Sequence, residues 1–71
     1  GGAQVELQLD WALADPALPV ESRVSILAGW VLAAEAEVCI YGMKLPGQTI
    51  PPGSGEAQQR RCLEALALFQ P

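Results

Sequence analysis

The feature that most constrains the fold is a strict two-residue alternation near the start of the chain. Val5, Leu7, Leu9 and Trp11 are apolar, and Glu6, Gln8 and Asp10 between them are polar. Side chains on a strand point to opposite faces in turn, so this pattern makes a strand with one face buried and one in water. The next segment repeats differently. Val20, Val24, Leu27, Val31 and Ala34 recur at helical spacing, which places them on one side of a helix from about Pro19 to Glu35. Pro19 suits the first helical position, where a missing N–H costs nothing.

After that helix, Val38 to Leu45 is rich in β-forming residues and apolar at positions of both parities, the pattern of a central strand covered on both faces. Pro46-Gly47 is a turn pair, Gly47 accepting the positive φ that the turn needs. A short third strand, Gln48 to Ile50, should stop at Pro51-Pro52 and lie at an edge. Ser54 offers a hydroxyl N-cap to a second helix, about Gly55 to Phe69, which buries Cys62, Ala65, Leu66 and Phe69 and turns Gln58, Arg61 and Glu64 outward. The expected fold is a two-layer α/β unit of order β-α-β-β-α. Its three-stranded mixed sheet has the order 1-2-3: the first two strands are parallel because a helix crosses between them, and the third is antiparallel because only a turn does.

Composition narrows the chemistry. The chain has 71 residues, room for one domain, and 51% of them are hydrophobic, enough for a core. Four bases against eight acids give a net charge of -4, so no basic patch exists to neutralise phosphates, and nucleic acid is not an expected partner. Histidine is absent, which removes the commonest general base and the commonest zinc ligand. Cys39 and Cys62 fall inside a strand and a helix and read as reduced packing residues, not as a disulfide framework. The uncharged run Ser25 to Ala34 is much shorter than the roughly 20 residues that span a bilayer, so this segment is not expected to insert into a membrane.

Four stretches together resemble a known family: "LDW" at Leu9 to Trp11, "LAGWVLAAE" at Leu27 to Glu35, "YGMKLPG" at Tyr41 to Gly47, and "GEAQQRRCLEALALF" at Gly55 to Phe69. The family is the MoxR-associated one built on a von-Willebrand-factor-A-like segment, a domain of unknown function. The hairpin "YGMKLPG" with the Arg-Cys-Leu helix after it is the most specific part. The resemblance implies that residues 1–71 are a C-terminal fragment of a longer protein with upstream membrane helices. It also implies a place at the cytoplasmic face of the inner membrane and a MoxR-type AAA ATPase as partner. The first strand departs from the family's fold, whose corresponding strand is central and apolar on both faces.

The resemblance also makes Asp10 the first candidate for chemistry, because metal-binding members of the von Willebrand A superfamily carry Asp-x-Ser-x-Ser at the end of the first strand. Here the run is Asp10-Trp11-Ala12-Leu13-Ala14, with alanine at both hydroxyl positions. Asp10 and Ser54 are weak metal candidates on that ground, since Mg²⁺ needs a near-octahedral oxygen shell that one carboxylate and one hydroxyl do not supply. No catalytic set and no cofactor is expected.

"LPGQTIPPGSGE" carries three glycines before a helix but lacks the Gly-Lys-Ser/Thr of a phosphate loop. Arg60 and Arg61, the only adjacent bases, read as solvated helix surface. The sharper signal is the first helix, which exposes Ile26, Trp30 and Ala33 beside its buried stripe with no charge among them. The expectation is a metal-independent protein–protein interaction module with a weak homodimer through that helix. The alternatives are residual metal-dependent activity or adhesion through Asp10, and a structural segment packing on the upstream part of its own chain. Trp11 and Gly47 are expected to serve the fold.

Overall fold

The computed structural model describes residues 6–69. The first strand, β1, is Glu6–Asp10; Val5 lies outside the described residues. Asp10 ends it by accepting a hydrogen bond from the Ala12 N–H at 2.9 Å, which starts a single 3-10 turn, Trp11–Leu13. Trp11 therefore belongs to the turn and not to the strand, yet its indole is still buried. Phe69 packs against it, its ring tilted by 43° with 4.6 Å between ring centroids, and the Arg23 guanidinium lies 4.4 Å from its ring centre. Arg23 also donates to the Trp11 carbonyl at 2.9 Å, so a charged side chain closes the hydrophobic core over the indole.

Helix α1 is Val20–Ala36, with Pro19 at the N-cap instead of the first helical position. Leu27, Val31 and Ala34 are buried along the expected stripe, and Val20 and Val24 pack at its half-buried end. The helix ends in a paired hydrogen-bond motif: Val38 N–H donates to the Glu35 carbonyl at 3.1 Å and Cys39 N–H to the Ala34 carbonyl at 3.0 Å. This ending requires a left-handed residue, normally glycine. Here it is Val38, at φ 56° and 80% exposed. The motif consumes Val38 and Cys39, so strand β2 is Ile40–Leu45 and starts later than its β-rich composition suggests.

Strand β3, Gln48–Gly53, follows a turn in which Gly47 takes φ 80°. The order β1-β2-β3, with β1 parallel and β3 antiparallel to β2, is the one expected. Two details differ. β2 is not covered on both faces: Tyr41, Met43 and Leu45 are buried on the helix side, whereas Lys44 is exposed on the other. Gly42 is buried by backbone, since a Cβ there would stand 2.9 Å from the Ile50 carbonyl oxygen and 3.2 Å from the Pro52 nitrogen. β3 also does not stop at Pro51-Pro52 but runs through both prolines to Gly53. An irregularity in register between Tyr41 and Met43, at an edge where absent N–H groups cost little, accommodates them.

Helix α2 is Glu56–Ala67, and it packs against α1 on the same side of the sheet. Ser54 does not cap it. The N-cap is Gly55, at φ 93° with an extended ψ, a region closed to residues with a side chain, and no side-chain cap bond forms. The missing acceptor comes from α1: one oxygen of Glu35 takes the Gly55 N–H at 3.2 Å and the Tyr41 hydroxyl at 2.9 Å. Gln58, expected outside, is buried, because its amide donates to the Tyr41 carbonyl at 2.7 Å and the Pro51 carbonyl at 3.0 Å. Those two carbonyls lie where the register irregularity interrupts the β2–β3 ladder. Cys62 and Leu66 are buried as expected, and Ala65 and Phe69 are half-buried.

Two outcomes follow. Val38→Gly relieves a left-handed β-branched residue while keeping the helix ending, and should raise the urea-unfolding free energy by about 0.5–1 kcal/mol; a destabilised variant would show that the valine makes a contact worth more than its strain. The second concerns alkali. Burial first, and the Glu35 acceptor second, push the Tyr41 phenol above its ordinary 10.0, and burial pushes the Cys62 thiol above its ordinary 9.0 against the pull of Arg61. A folded state that holds these protons more tightly than the unfolded chain has that stability in full below the ordinary values and loses it as pH rises through the raised ones. Unfolding free energy should therefore fall as pH rises above 9, with Tyr41→Phe flattening the part of the slope above 10. An unchanged slope in that variant would contradict the assignment.

Candidate functional site

Asp10 is half-buried at the C-terminal end of β1, and one of its carboxylate oxygens already holds the Ala12 N–H. Lys44 is its neighbour across the ladder. Ser54 follows Gly53, which pairs with Tyr41 at the other end of β2. From Tyr41 to Lys44 the sheet advances roughly 10 Å, so Asp10 and Ser54 stand at opposite ends of it and do not converge. Among the described residues, no group of three or more histidine, cysteine or acidic side chains could hold a metal ion. Asp10 does local work: it turns the chain so that Trp11 enters the core.

The cysteines are both free thiols. Cys62 is buried, with its thiol held towards the protonated form. Cys39 is half-buried, with its sulfur 3.9 Å from the Glu37 carbonyl oxygen. The sequence has no histidine to activate either thiol. Arg60 and Arg61 are exposed on α2, where Glu64 joins them along one shallow groove and offsets their charge.

The structure redraws the surface of α1. Ile26 and Trp30 are half-buried and packed against the core instead of standing free, and only Ala33 of the expected trio is exposed. The side that faces solvent starts with the exposed Glu21 in the first turn and continues through Ser25, Gly29, Leu32, Ala33 and Ala36, with Leu32 51% exposed and no charged residue from Ser25 onward. Leu32 was hidden in the sequence by its neighbour Val31, which fits the buried stripe; one residue further along a helix is a turn of about 100° away from that stripe.

Trp30 and Ala33 belong to a second feature, which the sequence could not show. They form one wall of an open groove of about 220 Å³ between α1 and β1, with Leu7 and Leu9 opposite and Glu37 and Cys39 at its end. The groove is apolar apart from that end. It exists because the crossover from β1 to β2 lays α1 alongside β1, which is the sheet's edge among the described residues.

Comparison with family models, with curated proteins and with solved structures found no match at all. The local role of Asp10 has a direct test. Titration of Mg²⁺, Mn²⁺ or Ca²⁺ should move no backbone amide near residues 10–14 at low millimolar metal. Saturable shifts at Asp10 and Ala12 that disappear in Asp10→Asn would restore it as a ligand.

Proposed function

We propose that this chain is a non-catalytic protein–protein interaction module of a MoxR-associated, von-Willebrand-A-like protein. One observation carries the reading: the solvent-facing side of α1 from Ser25 to Ala36 has no charge and exposes Leu32. A surface helix of a small domain ordinarily turns a charged side to water, and an apolar one is kept for a contact. Gly29 sits in the middle of this side, and a Cβ there would meet nothing within 4 Å. Packing within the chain gives no reason for a residue that weakens a helix by about 1 kcal/mol relative to alanine.

The motifs quoted above supply the partner in this proposal. It is an AAA ATPase of the MoxR type, met at the cytoplasmic face of the inner membrane if the longer protein has the family's membrane helices. Among the described residues no helix is long and apolar enough to cross a membrane. The α1 surface is also the place where two copies of the chain would associate weakly, as an isologous pair requires one patch to meet itself.

Leu32 is the position to change, because it is exposed and its loss should leave the core intact. Sedimentation at neutral pH should show concentration-dependent association of the chain, abolished in Leu32→Glu with an unchanged far-ultraviolet spectrum. In the intact protein the same variant should lose capture of the ATPase. Unchanged self-association and unchanged capture in Leu32→Glu would exclude the α1 surface.

A further inference from the structure

We draw no further inference here: the strongest candidate, the apolar groove between the start of α1 and the end of α2 lined by Val20, Val24, Leu66 and Phe69, carries nothing because nothing in the structure shows what covers it.

Discussion

The start of α2 depends on a carboxylate that belongs to another helix. Gly55 has a backbone conformation reserved for glycine and so brings no side chain to cap α2, and the Glu35 carboxylate from the last turn of α1 takes its N–H. The same oxygen accepts the Tyr41 hydroxyl from the central strand. A negative group at a helix N-terminus is favoured by the helix dipole as well as by the bond itself. One side chain therefore ties both helices to the sheet. Its geometry also explains why Tyr41 can be fully buried with a polar hydroxyl: the hydroxyl has a partner, and an unpartnered one would cost about 1–3 kcal/mol.

Gln58 completes this arrangement from the opposite direction. The β2–β3 ladder is interrupted near Gly42 and the two prolines, which leaves the Tyr41 and Pro51 carbonyls in need of donors. The amide of Gln58 is long enough to reach both and has two N–H groups to give. A polar residue at that position of α2 is a consequence of the irregular strand beneath it. The edge strand, its prolines and the buried glutamine are thus one feature seen from three places.

The surfaces left over after this packing are what a functional reading has to work with. α1 and α2 lie on one side of the sheet and leave β1 with an open edge, a charged outer face and an apolar groove on its inner side. The acidic pattern on β1 sets like charges against a second copy pairing antiparallel about Gln8. Asp10 contributes to that pattern, although its bond to Ala12 gives it a first duty in the turn.

Much of this was legible in the residue order. The alternation from Leu7 to Trp11, the helical stripe from Val20 to Ala34 and the Pro46-Gly47 turn determined the element order and the strand directions, because each depends on local periodicity and on whether a helix or a turn joins two strands. Tertiary structure decided the rest. Which oxygen caps α2, why Gln58 turns inward, why Val38 is left-handed and where a groove opens beside β1 all depend on backbone groups or surfaces brought together from distant parts of the chain. Ser54 looked like a cap because serine often is one; Glu35 is the cap because the crossover of α1 carries it to Gly55, and no local pattern encodes that meeting.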